Sequence, residues 1–322
     1  MPSPARMTQT LQQGLRRLIG GATRQAQPYR LFDLVLSRRL TLTPSLTRLV
    51  FTGPDVAQMT TLAPDQRVKL FFPAPDGSVA QLPADQHWKA AHSALAAEQR
   101  PPMRTYTLRA LRPEALEVDV DFVLHGVNGP ASAWATQAQP GDRLQMLAPN
   151  LAYTGDPDGY EWKPPQGVRN VLLVGDETAL PAIAGILEAL AVTQPDLAVQ
   201  AFIEVPLQAD CLDVRHGSGV ELHWLPRDLL NCEHGQAMLH AVHELARLPQ
   251  GHAVPRARLE DIDIDKRILW EQASTACSAF HAWVAGESAT VMAIRRHLIK
   301  ERGLPRQWLT LMGYWRAGRT LD

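Results

Sequence analysis

The hexapeptide RTYTLR, residues 104–109, combines side-chain types that suit a flavin nucleotide. Arg104 can grip phosphate through paired charge-assisted hydrogen bonds, because a guanidinium presents its donors as a fork. The ring of Tyr106 can lie on the isoalloxazine, and Thr107 can offer a hydroxyl or backbone N–H to the reactive edge of that ring. In a strand, Arg104 and Tyr106 would share one face while Thr105 and Thr107 share the other. An ordinary β-strand with charged ends is the alternative interpretation.

A second segment, residues 121–134, has the form of a phosphate-binding turn. A strand runs into Gly126 and Gly129, and a helix is predicted to begin near Ser132. The first N–H groups of a helix lack intrahelical acceptors and favour anions, and Ser132 adds a hydroxyl. A simple helix-capping role for Ser132 stays open. His125, at the end of the strand, fits a hydrogen-bonded structural histidine better than a catalyst.

The third segment, Val174-Gly175-Asp176-Glu177-Thr178, sits where a parallel sheet usually binds a dinucleotide phosphate. Two carboxylates at the start of the helix would repel that phosphate. We therefore expect this loop to border the flavin or to cap its own helix. Any nicotinamide nucleotide would then find its phosphate contacts elsewhere.

The C-terminal segments Trp283–Ser288 and Met312–Gly318 place aromatic and basic side chains beside two predicted strand ends. Ser288 is predicted to cap the helix that follows. Trp315 is a candidate to cover the exposed flavin face or to line the substrate approach. A tryptophan of the core or of a lid is the alternative.

Two kinds of hydrophobic pattern surround these segments. From Tyr29 onward, short strands separated by Pro, Gly and Ser predict an antiparallel Greek-key barrel. Within it, apolar and acidic residues alternate over 116–122, which predicts a strand with one buried face and one solvent-exposed face. Beyond Pro164-Pro165, strands and helices alternate and predict a Rossmann-like parallel sheet. The predicted fold class is thus β-barrel plus α/β, the layout of ferredoxin-reductase-type flavoenzymes. The sequence predicts an N-terminal extension over 1–28, with a short helix at 8–20. A flavin-binding barrel domain is predicted over 29–165. A Rossmann-like domain for NAD(P)H or another electron donor is predicted over 166–322, with an insertion at about 250–279.

Composition narrows the class of protein. The 322-residue chain is 45% hydrophobic and 20% charged, which excludes a mainly disordered chain, and its net charge of −1 offers no global field for nucleic acid. Its three cysteines form no Cys-x-x-Cys pair, which argues against a zinc site, an iron–sulfur cluster or a disulfide framework. No apolar run reaches signal or membrane-spanning length. We therefore expect a cytoplasmic protein with no metal of its own.

Taken together, the motifs resemble the siderophore-interacting protein family, the FAD-dependent ferric-siderophore reductases of bacteria. The resemblance rests on RTYTLR, DFVLHG with GPASAWA, GDRL, LLVGDETALPAI, WVAGES, GYWRAG and Val68-Lys69-Leu70-Phe71, in order over nearly the whole chain. It implies FAD as cofactor, with contacts from Arg104, Thr105, Tyr106, Thr107, Arg109, Asp121, Phe122, His125, Asp176, Thr178 and Trp315 and pyrophosphate contacts around Ala131 and Ser132. It further implies that Tyr106, Thr107 and Trp315 act at the reacting ring. Lys69 and Arg316 are implied to face the siderophore.

The resemblance implies electron transfer from NAD(P)H through FAD to Fe(III) in an anionic siderophore, with release of Fe(II). Reduced ferredoxin as the donor, a siderophore-binding or delivery protein without reductase activity, and a reductase that releases free flavin are the alternatives. One departure concerns Ala148-Pro149-Asn150-Leu151, where relatives often have Pro-Arg-Gly. A third basic contact to the siderophore is therefore absent.

Overall fold

The computed structural model describes residues 26–79, 81–125, 129–249, 262, 264, 267–274 and 278–319. The predicted helix at 8–20 and nearly all of the predicted extension over 1–28 lie outside the described residues. So do Gly126 and most of the predicted insertion over 250–279. The described residues form two sheets with helices, and the first sheet precedes the second along the chain.

The first sheet is antiparallel and has seven strands. They are β1 (Tyr29–Thr43), β2 (Leu46–Thr52), β3 (Arg67–Phe71), β4 (Met103–Thr107), β5 (Ala110–Arg112), β6 (Glu117–Val123) and β7 (Arg143–Pro149), in the order β4-β3-β7-β1-β2-β6-β5. Only Leu108 and Arg109 separate the two edge strands β4 and β5 along the chain. Their N–H groups donate to the carbonyls of Gln66 (2.7 Å) and Asp119 (2.9 Å). The sheet therefore curls into the predicted antiparallel barrel, which is confirmed.

The sequence predicted that the acidic face of β6 is exposed to solvent, but in the structure this face is buried. Asp119 and Asp121 are buried rather than wet. Arg112 pairs with Asp119 (2.9 Å), and Arg48 holds Asp121 through two hydrogen bonds (2.7 and 2.9 Å). Such pairing compensates the cost of taking a carboxylate out of water. The alternation identified the strand correctly, but it did not reveal the arginines that cover its acidic face.

The second sheet has six strands. They are β8 (Asn170–Gly175), β9 (Ala198–Val205), β10 (Val220–Pro226), β11 (Trp270–Glu271), β12 (Phe280–Glu287) and β13 (Leu309–Trp315), in the order β10-β9-β8-β12-β13-β11. All neighbours are parallel except β11, which runs antiparallel to β13. The predicted Rossmann-like sheet is confirmed. Residues 270 and 271, which the sequence assigned to an insertion, are instead the edge strand of this sheet.

Six α-helices are described. They are α1 (Trp88–Ala94), α2 (Pro130–Gln137), α3 (Leu180–Thr193), α4 (Arg227–Leu230), α5 (Gln236–His240) and α6 (Ser288–Arg296); π-helical turns over Ala241–Leu245 and His297–Glu301 continue α5 and α6. Glu287, not Ser288, caps α6, because its carboxylate accepts hydrogen bonds from the N–H groups of Ala289 (2.6 Å) and Thr290 (3.0 Å). The predicted Ser288 cap is therefore wrong. Among the described helices, none combines the length and the apolar character that a membrane crossing would require.

Buried polar contacts fix the barrel against the second sheet. One carboxylate oxygen of Asp65 accepts the N–H groups of Glu161 (2.9 Å) and Trp162 (2.8 Å) and the indole N–H of Trp283 on β12 (3.3 Å). Burial raises the pKa of Asp65 to about 6. Glu161 in turn pairs with Arg67 of β3 (2.8 Å). The loop before β3 and the segment before β8 are thereby held to one strand of the second sheet.

Candidate functional site

The register of β3 and β4 divides the hexapeptide between two faces. Tyr106 lies opposite Val68, and Arg104 lies opposite Leu70, while Thr105 lies opposite Lys69. Val68 and Leu70 are buried in the barrel core. Because directly opposed residues of an antiparallel pair point to the same face, Arg104 and Tyr106 lie on the inner side and Thr105 lies with Lys69 on the outer side.

Tyr106 belongs to a cluster of aromatic rings at the end of the barrel. Its ring centre lies 4.4 Å from that of Phe122 and 6.4 Å from that of Phe72. Trp134 of α2 packs edge-on against Phe72 at 5.5 Å. Burial raises the pKa of Tyr106 well above its ordinary value, so the phenol stays neutral. The side chain is half-buried, which leaves part of this aromatic platform accessible, and Thr107 beside it is buried.

The predicted phosphate turn is a helix start formed by Gly129. This glycine has a φ of +93°, and no side chain of the described residues caps α2. A Cβ added to Gly129 would meet no atom of the described residues within 4 Å. Ala131 and Ser132 are buried within the first turn, and the Ser132 hydroxyl accepts the N–H of His125 at 3.4 Å. Ser132 is therefore not the capping residue, and the chemistry of this turn suits a phosphate.

Arg109 and Asp121 come together, but in a chain of ion pairs. The Arg109 guanidinium lies 3.7 Å from Asp121 and 2.5 Å from Glu188 of α3. Asp121 is already held on both oxygens by Arg48. These contacts join the barrel to the first helix of the second sheet. A flavin contact from either residue stays a prediction.

Lys69 lies in a locally positive environment on the outer face of the barrel. Its ammonium donates to the Thr105 hydroxyl at 3.4 Å. Burial, together with the charges of Arg67 and Lys89, lowers the pKa of Lys69. Within the described part of the chain, no carboxylate lies within ion-pair distance of its ammonium. Arg67 is itself paired with Glu161 (2.8 Å), so the positive charge on this face comes mainly from Lys69 and the nearby Lys89.

A second group of predicted residues gathers at the carboxyl edge of the parallel sheet, around Asp176. This side chain is fully buried. One oxygen accepts the N–H (2.9 Å) and hydroxyl (2.5 Å) of Thr178; the other accepts the N–H of Glu287 (3.0 Å) and the indole N–H of Trp315 (2.9 Å). Burial opposes ionisation, but the contacts with His234, Thr178 and Trp315 outweigh it and lower the pKa of Asp176. The carboxylate therefore ties together the ends of β8, β12 and β13.

The glycines of these motifs make room for this arrangement. Gly286 has a φ of +151°, and a Cβ there would lie 2.7 Å from Asp176. At Gly175, a Cβ would lie 2.6 Å from that of Ala179 at the start of α3. Close packing thus requires glycine at both positions. The strand–glycine–helix pattern at 174–178 therefore accommodates a buried carboxylate. This agrees with the expectation that the loop is not a Gly-rich phosphate-binding site.

A second layer of charge surrounds Asp176. Arg227 donates two hydrogen bonds to Glu177 (2.8 and 2.9 Å) and one to the fully buried Glu204 (3.1 Å). His234 lies 3.4 Å from Asp176. Burial would lower the pKa of His234, but its contacts with Asp176, Glu177 and Glu204 prevail and raise it. The sequence analysis missed Glu204, Arg227 and His234, since no spacing in the chain links them to the Asp176 loop.

Trp315 and Arg316 are held by neighbouring motifs. Arg316 donates to Glu287 at 2.9 Å, and the N–H of Ala317 lies 3.3 Å from the same oxygen. The Trp315 ring packs edge-on against His234, with ring centres 5.0 Å apart. Both side chains are half-buried. The described contacts of both lie within the second sheet, so their roles toward flavin and siderophore stay predictions.

The motifs of both sheets have counterparts in known proteins. The model of the siderophore-interacting FAD-binding domain family matches residues 35–153, and that of the siderophore-interacting protein family matches residues 168–318. An uncharacterized protein of Mycobacterium tuberculosis is 33% identical over 300 residues, which cover 91% of this chain and 92% of that protein. Ferric vibriobactin reductase ViuB of Vibrio cholerae is 29% identical over 295 residues, 90% of each. The crystal structure of a siderophore utilization protein from T. fusca matches with a TM-score of 0.69 and 29% identity over 92% of this chain and 96% of that one.

Proposed function

Because the chain belongs to the siderophore-interacting protein family, we propose that it is an FAD-dependent ferric-siderophore reductase that takes electrons from NAD(P)H. The observation that carries the proposal is the aromatic platform of Tyr106 and Phe122, close in sequence to the helix start at Gly129, which no side chain of the described residues caps. Ferric vibriobactin reductase as a relative supports the same reaction. A cytoplasmic location stays a prediction.

The residues at this end of the barrel fit FAD. The first turn of α2, which no side chain of the described residues caps, would offer N–H donors to a pyrophosphate. Arg104, two residues before the tyrosine, supplies a positive charge. The half-buried ring of Tyr106 would hold the isoalloxazine by stacking. Thr107 would contribute a polar group beside the reacting edge.

Bound FAD would supply the conversion of a two-electron donor into single-electron transfers to iron. The chain would bind and orient the participants, since no proton-transfer triad is required for this reaction. Lys69 would attract the anionic ferric siderophore to the outer face of the barrel. Trp315 would line the approach from the carboxyl edge of the parallel sheet. Because Fe(II) binds hard oxygen ligands less tightly than Fe(III), reduction would release the metal.

The identity of the electron donor is the finer part of the proposal. Asp176 is buried, and Glu177 is engaged by Arg227, so neither carboxylate offers an acidic surface to a ferredoxin. The contacts therefore lend the ferredoxin alternative no support. They also leave no room for a phosphate at the start of α3. NAD(P)H would bind along the carboxyl edge with its phosphates away from this loop.

An anaerobic titration tests the proposed reaction. Protein reconstituted with FAD is expected to retain its flavin absorption through gel filtration, to lose that absorption on addition of NADPH or NADH, and to recover it when a ferric siderophore is added. Reduced ferredoxin, added in a parallel titration, is expected to act poorly. If FAD is lost during filtration, reduction of added free flavin by NADPH or NADH would indicate a reductase of free flavin. Siderophore binding without any flavin reduction would instead indicate a binding or delivery protein.

Lys69→Ala is expected to raise KM for an anionic ferric siderophore about tenfold with little change in kcat, which corresponds to ~1.4 kcal/mol of lost charge-assisted binding. The reason is the positive charge that Lys69 holds without a carboxylate partner in the described part of the chain. Steady-state kinetics at low salt measures the effect. Lys300→Ala is the matched control, because Lys300 is an exposed lysine in the π-helical turn that continues α6. Equal KM values for the Lys69 variant and the parent would reject the assignment.

A further inference from the structure

We propose that the chain has a second, separate site that binds a divalent transition-metal ion through His243, His297 and Glu301. The three side chains each offer one ligand atom, and these atoms lie within 4.8 Å of one another. Two imidazoles and one carboxylate are a ligand set that suits Zn²⁺, Fe²⁺ or Co²⁺. Nothing in the proposed flavin chemistry uses these residues.

The two ring nitrogens of His297 have different surroundings. His297 is 5% exposed, and its Nδ1 lies 2.6 Å from the carboxylate of Glu301. The nitrogen and the carboxylate oxygen therefore already face each other, and one ion could take the place of their hydrogen bond and bind both. The Nε2 on the opposite side of the ring has no hydrogen-bond partner among the described residues, which leaves it able to donate to water when Nδ1 binds the ion.

The two histidine rings are already stacked against each other. Their centres are 3.6 Å apart and their planes meet at 26°. The nitrogen lone pairs lie in the ring planes, so the half-buried His243 ring would rotate out of the stack to present its nitrogen to the same ion as His297.

The ligand atoms would have to move only a short distance to bind one ion. Metal–ligand distances of about 2.0–2.2 Å place ligand atoms of a tetrahedral site roughly 3.4 Å apart. A separation at the 4.8 Å limit would need to shorten by about 1.4 Å, which side-chain rotation can supply. His243 also lines an open groove of about 290 Å³ with His240 and Glu244, among others. That groove offers a fourth ligand or a water position.

The site lies far from the Asp176 cluster. Glu287 and Ser288 mark the start of α6 at the carboxyl edge, whereas His297 comes nine residues after Ser288. At about 1.5 Å per residue, roughly 14 Å of helix separates them. Both His243 and His297 occupy π-helical turns that end neighbouring helices. A bound ion would therefore clamp the ends of α5 and α6 together, independently of flavin.

Metal binding to the full chain tests the proposal. Tag-free flavoprotein, freed of metal with a chelator, is titrated with ZnCl₂ by calorimetry and with CoCl₂ in parallel. We expect one equivalent to bind with a micromolar or lower Kd, and His243→Asn and Glu301→Gln each to weaken binding at least about tenfold. His216→Asn is the control, since this exposed histidine lies elsewhere.

Two outcomes would overturn the site. The first is millimolar binding by the parent protein. The second is equal affinity for the parent and the His243→Asn variant. His297→Asn is a less certain variant because the residue is buried, so the half-buried His243 and exposed Glu301 carry the test. Because the readout is metal affinity, failure of the proposed reductase activity would leave the result unchanged.

Discussion

Asp176→Asn is expected to lower the free energy of unfolding by about 3 kcal/mol, the range seen when one partner of a buried charged pair is removed. The carboxylate accepts hydrogen bonds from Thr178, Glu287 and Trp315. An asparagine would direct an NH₂ group at one set of these donors, which would leave buried N–H groups unpaired. Urea unfolding followed by tryptophan fluorescence measures the loss, and Trp315 should show a shifted emission.

The pH dependence should identify His234 as part of the same network. Because its folded-state pKa is raised above 6.5, His234 contributes stability that is fully present below 6.5 and is lost as pH rises through the folded-state pKa. Asp176, with a lowered pKa, contributes stability above 3.8 that is lost as pH falls through its folded-state pKa. In Asp176→Asn the decline on the alkaline side should shrink. An unchanged profile in this variant would contradict the pairing.

Glu177→Gln is the matched control for the Asp176 experiment. Both carboxylates lie in the same loop, but Glu177 is paired with Arg227 rather than with the strand ends. Arg227 would keep its contact with Glu204 in the variant. We therefore expect a loss of only about 1 kcal/mol. Equal losses of unfolding free energy in the two variants would mean that the buried contacts of Asp176 contribute no more to stability than the ion pair of Glu177.

The sequence predicted the barrel and the parallel sheet because both depend on local hydrophobic patterns. The run at 171–175 and the stripe formed by Leu180, Ile183, Leu187 and Leu190 are buried as these patterns require. The residue that caps α6 was harder to predict from the sequence, because Glu287 and Ser288 are adjacent and both side chains can cap a helix. The acidic face of β6 was misjudged for a different reason. The arginine that buries Asp121 is Arg48, 73 positions away.

The site was predictable in its motifs but not in its contacts. Tyr106 was identified from its position in the hexapeptide, whereas its packing against Phe122 depends on the curvature that brings β4 to β6. The glycines at 175 and 286 were recognised as special, but a glycine can admit either a phosphate or a side chain. The sequence does not show which group approaches. At Gly286 the Asp176 carboxylate occupies that space, whereas at Gly175 the side chains of Ala179 and Ile183 do.

Tyr106→Ala is expected to weaken FAD binding about 100-fold, which corresponds to ~2.7 kcal/mol. Loss of a stacking ring removes about 0.5–1.5 kcal/mol beyond the burial of its apolar surface, and that burial adds about 1.5–3 kcal/mol. Fluorescence quenching during titration of flavin-free protein with FAD measures the affinity. Tyr106→Phe keeps the ring and should bind FAD within a few-fold of the parent.

The Tyr106 variant must be separated from simple damage to the barrel, because truncation also leaves a cavity beside Phe122. Leu49→Ala supplies that control: Leu49 is fully buried in the same barrel core, and such truncations cost about 2–5 kcal/mol. This variant should melt at a lower temperature yet bind FAD nearly as tightly as the parent below its transition. If Leu49→Ala bound FAD as weakly as Tyr106→Ala, then the stability of the barrel, rather than stacking on Tyr106, would explain why the parent protein retains FAD. A selective loss at Tyr106 would assign the platform to the flavin ring.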